Sequence, residues 1–203
     1  KVLINVTSDK CYENNEENYA FKENDPLGGK DIYSASKACS EIITNSYRES
    51  FLSGRTNCLK IASVRAGNVI GGGDWSRDRL VPDIIRSIIS SKPIHIRNPK
   101  STRPWQHVLE PISGYLQLAL KLSKNKNING EAFNFGPHNN ENKNVKDLVL
   151  KMSSFWNNKK WILKKNKSTI IESKLLGLNC EKAYNFLEWS PTLSFNEMSK
   201  LTI

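Results

Sequence analysis

Val2-Leu3-Ile4-Asn5-Val6-Thr7-Ser8-Asp9-Lys10 opens the chain, and Tyr33-Ser34-Ala35-Ser36-Lys37 follows across an irregular polar segment. These two stretches decide the fold. Strands of a parallel sheet that is covered on both faces are continuous apolar runs rather than alternating ones, and the first stretch reads that way up to Val6. Ligands of open α/β sheets sit beyond the carboxyl ends of the strands, where Ser8, Asp9 and Lys10 fall. The second stretch sets a phenol and an amine four residues apart, on one face of a helix and about 6 Å apart along its axis. A phenol of pKa about 10 is a poor base, and a neighbouring ammonium lowers that value. Alone, Tyr-x-x-x-Lys is also an ordinary solvated helix surface. Its place after a strand ending in Ser8-Asp9-Lys10 points to a base for a hydroxyl proton.

Between the two, Glu13 to Lys30 is polar, with Asp25-Pro26 and Gly28-Gly29 as turn signals. Asp31 is placed to cap a helix running to about Ser53 and ended by Gly54. Its expected packing stripe is Ile32, Ala35, Cys39, Ile42 and Ile43, with Tyr33 and Lys37 beside it. Cys58 to Val64 reads as the next strand, parallel to the first because a helix separates them. Arg65-Ala66-Gly67-Asn68-Val69-Ile70 then leads into Gly71-Gly72-Gly73-Asp74-Trp75. Three glycines in succession suit neither helix nor strand interior. They form either a flexible loop or one that approaches a ligand phosphate with its backbone N–H groups, and a position after a central strand favours the second.

Arg79 to Ser90 reads as a helix, with Pro82 tolerated in its first turn. Ile94 to Arg97 is a short strand. In the loop from Lys100 to Glu110, Arg103 carries the planar fork suited to phosphate. Trp105 stacks on a base or fills a core gap, and the isolated His107 reads as structural. Helices are expected over 111–124, over Val145 to Trp156 capped by Asn144, and over Cys180 to Leu187. Glu131 to Phe135 is a strand ended by Gly136-Pro137. Trp161–Leu163 and Ile170–Ile171 read as short strands of a smaller lobe, and Phe195 opens a last helix that looks cut short.

With 38% hydrophobic and 25% charged residues, the 203-residue chain has the composition of a soluble globular protein. No apolar run is long enough to span a membrane, and the first residues form a strand rather than a signal peptide. A net charge of +10 raises nucleic-acid binding as an alternative. The lysines are spread along the chain, however, without an aromatic-interleaved basic motif, and basicity equally suits a substrate carrying a pyrophosphate. Cys11, Cys39, Cys58 and Cys180 are widely spaced, and His95, His107 and His138 are isolated, so no metal site is expected. Reduced thiols in a cytoplasmic protein are the plain reading.

Four segments taken together carry a resemblance: Ser8-Asp9-Lys10-Cys11-Tyr12, Tyr33-Ser34-Ala35-Ser36-Lys37, Arg65 to Trp75, and Ile96-Arg97-Asn98-Pro99 through Arg103-Pro104-Trp105-Gln106-His107-Val108. In this order they resemble the extended short-chain dehydrogenase/reductase family and, within it, the CDP-glucose 4,6-dehydratases. The resemblance implies a partial doubly wound Rossmann parallel sheet with a smaller C-terminal α/β substrate lobe. Residues 1–70 would be the C-terminal part of the NAD-binding domain. Residues 71–203 would be mostly the sugar-nucleotide lobe, with a strand and helix near 108–136 returning to the first domain. The glycine turn that grips the dinucleotide pyrophosphate is not in the chain. The chain is therefore expected to be a fragment lacking the first half of the Rossmann domain, and inactive alone.

The implied reaction is an internal redox dehydration of CDP-glucose to CDP-4-keto-6-deoxyglucose with NAD as cofactor, in deoxysugar synthesis of the lipopolysaccharide type. Tyr33 would take the C4 hydroxyl proton, Lys37 would support Tyr33 and contact the nicotinamide ribose, and Ser8 would bond the sugar oxygen. Asp9 would protonate the departing C6 hydroxyl, which requires a raised pKa. Lys10 stands where the related dTDP-glucose dehydratases have the Glu that serves as C5 base, so the identity of that base stays open. Asn68, Arg103 and Trp105 would hold the substrate. A homodimer or higher homo-oligomer is implied. An epimerase of the same family and a non-catalytic binding module are the alternatives.

Overall fold

The computed structural model describes residues 1–15, 19–53, 59–125, 127–138, 143–156, 161–163 and 177–203. Three strands form its central sheet: β1 (Val2–Val6), β3 (Lys60–Ala66) and β8 (Ala132–Phe135), all parallel, in the order β1-β3-β8. Ile4 lies opposite Ala62, and Val64 opposite Phe133. Strand β2 (Ala20–Phe21) lies between β1 and β3 in sequence and pairs in parallel with β11 (Gly177–Leu178). The α/β class and the parallel order agree with the sequence reading.

The two faces of this sheet differ in chemistry. Ala62, Val64, Phe133 and Phe135, with Val2 and Ile4, face helix α3 (Leu109–Lys124) through Leu118 and Leu122. Helix α5 (Glu181–Leu187) closes the same core with Ala183, Leu187 and the following Trp189. The helix is drawn close to the sheet at Gly114, where an added Cβ would stand 2.2 Å from a ring carbon of the buried Phe135. Gly114→Ala gains at most about 1 kcal/mol of helix propensity, while overpacking a close-packed core costs about 1–3 kcal/mol. The expected result is a lowered urea midpoint at unchanged m-value.

Helix α1 (Ile32–Tyr47) lies on the other face, which is polar. The Asn5 amide donates to Thr44 at 2.8 Å, and Thr7 and Arg65 both donate to Glu41. This corrects the expected packing stripe. The buried positions of α1 are Ser34, Ala38 and Glu41, whereas Ile32 is 90% exposed, Ile43 65% and Ile42 54%, and Cys39 is exposed too. The helix is seated by hydrogen bonds, so its most apolar stripe points outward. It starts at the expected cap: Asp31 accepts from the Ser34 backbone N–H at 3.0 Å and from its hydroxyl at 2.6 Å. It passes into a π-helical turn over Arg48–Leu52, and Gly54 and Cys58 lie outside the described residues.

The remaining elements form a second apolar cluster. Helix α2 (Leu80–Ile89) carries Val81 and Ile84 into it, strand β5 (Ile94–Ile96) contributes Ile94 and Ile96, and helix α4 (Val145–Ser153) contributes Leu148, Val149 and Met152. Helix α6 (Phe195–Leu201) adds Met198. Asn144 makes the expected cap as a reciprocal capping box with Asp147. Strand β10 (Trp161–Leu163) pairs in parallel with β5, and Ile170–Ile171 lies outside the described residues.

Candidate active site

At the carboxyl end of β1 the chain enters a single 3-10 turn, Asp9–Cys11. Ser8 caps it by accepting from the Lys10 backbone N–H at 3.2 Å, and its hydroxyl donates to Asp9 Oδ1 at 3.0 Å. Asp9 is 3% exposed, and its Oδ2 is buried without a hydrogen-bond partner. Burial pushes its carboxyl above the usual carboxylate range, against the opposing pull of Lys10, Ser8 and Arg103. This is the direction that a carboxylic acid serving as proton donor needs, and a buried polar oxygen without a partner is rare enough to call for an explanation.

Helix α1 packs against this turn. Lys10 helps to hold the Asp31 carboxyl below its usual range, after the two hydrogen bonds from Ser34 that dominate. Tyr33 is 52% exposed, and the Lys37 ammonium lies 5.7 Å from its ring centroid. Tyr33 is thus exposed and Lys37 half-buried. The expected pairing of Tyr33 with Lys37 is present, on the helix that contacts the Asp9–Cys11 turn.

The second group of expected residues is assembled by short strands. Strand β4 (Asn68–Ile70) pairs in parallel with β7 (Trp105–His107), and the register sets Asn68 opposite Trp105. The preceding residues cross closely: a Cβ on Gly67 would stand 2.6 Å from Pro104. Strand β6 (Thr102–Arg103) pairs antiparallel with β9 (Lys143–Asn144), which fixes Arg103. Asn68, Arg103 and Trp105 all line one cleft of about 220 Å³. Arg103 is 8% exposed, and its charge acts on the Asp9 carboxyl. Trp105 is buried in the second apolar cluster, its indole N–H donating to the Lys143 carbonyl at 3.2 Å, and it presents part of its surface to the cleft. In the glycine loop, Gly71 packs on Val108, while Gly72 and Gly73 face open space and Gly73 has φ +84°.

Among the cleft residues that the sequence reading did not assign to a site are two arginines, Arg79 and Arg97. Each had a signal: Arg97 directly follows the alternating Ile94-His95-Ile96, and Arg79 precedes a helix with proline in its first turn. Among the described residues no cluster of potential metal ligands occurs, and no helix is long and apolar enough to cross a membrane. The three described cysteines are free, with Cys11 buried and its thiol pushed up to about 12, chiefly by burial.

The chain belongs to the family described as GDP-mannose 4,6 dehydratase, whose pattern it matches over residues 1–202. It is 44% identical over 201 residues to CDP-glucose 4,6-dehydratase of Salmonella typhimurium, and the match covers 97% of this chain and 56% of that protein. The chain thus spans little more than half the length of this relative. The fold is shared with dTDP-glucose 4,6-dehydratase of Bacillus anthracis, solved with NAD (TM-score 0.82, 21% identity, 98% of this chain and 59% of that one). An epimerase of Methanothermobacter thermautotrophicus is equally similar in fold, with a TM-score of 0.84 at 19% identity over 99% of this chain and 57% of that one.

Proposed function

We propose that this chain is the catalytic and substrate-holding part of an NAD-dependent CDP-glucose 4,6-dehydratase. The observation that carries the reading is Asp9: a buried carboxyl with a raised pKa and an unpartnered oxygen, on a turn contacted by the helix that bears the Tyr–Lys pair. An epimerase oxidising only C4 has no use for such an acid, and a binding module has none either. Residues 1–70 serve the cofactor and the chemistry, and most of 71–203 holds the sugar nucleotide. The assembled enzyme is this chain joined to a half that grips the dinucleotide.

Bound NAD would supply a reversible hydride acceptor for C4 and donor for C6. Tyr33 and Lys37 are the residues of this chain that would meet it, and the exposure of Tyr33 near the start of α1, with Lys37 half-buried one turn on, fits that role. Tyr33 accepts the C4 hydroxyl proton, Lys37 sets a positive charge beside it, and Ser8 bonds the sugar oxygen. The C4 ketone then acidifies the C5 proton, which Lys10 removes, and Asp9 gives its proton to the departing C6 hydroxyl. Arg103 holds the pyrophosphate, with Asn68 and Trp105 framing the rest of the nucleotide. We place the reaction in the cytoplasm, where NAD and nucleotide sugars are available. A second copy of the chain covers the outward stripe of α1, where Ile32, Cys39, Ile43 and Tyr47 are exposed at helical spacing.

The test is to incubate the assembled enzyme with CDP-glucose and NAD in D2O. The expected product gives the alkaline 4-keto chromophore and carries one deuterium at C5, and this chain alone yields none. A C4-inverted sugar without deuterium would establish the epimerase instead, and no reaction would leave a binding module.

A further inference from the structure

The polar face of the sheet holds a buried ionic cluster outside the proposed catalytic group. Glu41 and Arg65 are 6% and 4% exposed. Arg65 Nε donates to Glu41 Oε1 at 2.9 Å and Nη2 to Oε2 at 3.1 Å, a two-pronged pair. The Thr7 hydroxyl donates to the same carboxylate at 2.5 Å. Arg65 Nη1 donates to the Tyr12 hydroxyl and to the Glu23 carbonyl, both at 2.9 Å, with its guanidinium 4.9 Å from the Tyr12 ring centroid. Tyr12 in turn donates to Asn134 on β8 at 2.7 Å.

Stability alone does not account for this cluster, because apolar residues of the same volume commonly serve as well as a buried ion pair. What the pair adds is direction. A planar fork on a carboxylate fixes rotation and axial position, where apolar packing tolerates repacking. The residues it ties together are telling. Glu41 stands one helical turn beyond Lys37 and two beyond Tyr33 on α1. Thr7 and Tyr12 flank the Ser8–Cys11 segment on either side.

We propose that Thr7, Glu41, Arg65 and Tyr12 are positioning residues: they clamp α1 to both flanks of the β1 turn and so set Tyr33 and Lys37 against Ser8 and Asp9. The inference rests on the dehydratase reading above. A displacement of about 1 Å far from the chemistry can cost about 10²-fold in rate, and that is the loss expected here.

In the assembled enzyme, Arg65→Lys keeps the charge but loses the fork. The expected outcome is a folded enzyme with kcat lowered about 10²-fold and KM for CDP-glucose unchanged. The paired variant E41L/R65M removes both charges, leaving no lone buried ion, and is expected to regain the parent Tm without regaining kcat. Parent-like kcat in Arg65→Lys, or recovery of kcat together with Tm in the paired variant, would make the cluster merely structural and overturn the proposal. If the parent enzyme itself makes no 4-keto sugar, it is the dehydratase reading that fails.

Discussion

Tyr33→Phe in the assembled enzyme lowers C4 oxidation by about 10²- to 10⁴-fold, the usual contribution of a positioned general base. The change removes one oxygen from a side chain that is 52% exposed, and surface substitutions of this kind stay within about 0.5 kcal/mol of the parent. Tm and the Kd for CDP-glucose therefore remain at parent values while reduced-nicotinamide absorbance in a single turnover nearly disappears. A Phe variant that oxidised C4 at the parent rate would remove Tyr33 and Lys37 from the chemistry. It would also remove the purpose of clamping α1.

Asp9→Asn separates the two halves of the reaction. C4 oxidation survives, since Tyr33 is untouched, and elimination of the C6 hydroxyl slows by about 10²- to 10⁴-fold for want of an acid. The same substitution changes stability, with a sign that the environment of Asp9 dictates. Burial raises its pKa above the ordinary 3.8, so the folded state binds this proton more tightly than the unfolded one. Ionising Asp9 therefore subtracts stability. The penalty is absent below pH 3.8, grows as pH climbs towards the raised folded value, and is full above it. Asn cannot ionise, so the Tm difference in favour of the variant grows with pH over that window. For a chain of this size, roughly 1 kcal/mol corresponds to about 2–4 °C. A difference that shrank with rising pH would mean that Asp9 is stabilised as an anion in the folded protein and is unsuited to donate a proton.

The strands and helices that bury apolar side chains were legible from the residues. The Asn144 cap, Pro82 in a first turn and the Ile94–Ile96 strand all report backbone and hydrophobic preferences that act locally, and the fold confirms each within a few residues. Val2–Val6 is a strand as expected, but not one buried on both faces: it lies at the edge of the described sheet, with Leu3 43% and Val6 54% exposed. The strand-end position of Ser8, Asp9 and Lys10 and the Tyr33–Lys37 spacing were equally readable, because both depend on chain geometry alone.

The orientation of α1 was not legible. Hydrophobicity assigned its inward face to Ile32, Cys39, Ile42 and Ile43, but the helix sits on Asn5, Thr7, Ser63 and Arg65, a sheet face furnished with donors and acceptors. A helix facing such a surface buries Ser34, Ala38 and Glu41 instead. By itself the sequence determined the longer strands and the helices, their order and the chemistry carried at the end of β1 and the start of α1, since these follow from local propensity and spacing; the short strands β2, β6, β7, β9 and β11 were not legible, because pairing with distant segments creates them. Only the tertiary structure decided which face of α1 is buried, that Arg65 reaches Glu41 and Tyr12, and that Asp9 is desolvated beside Arg103. Those outcomes depend on hydrogen bonds and burial between residues tens of positions apart, which no local pattern encodes.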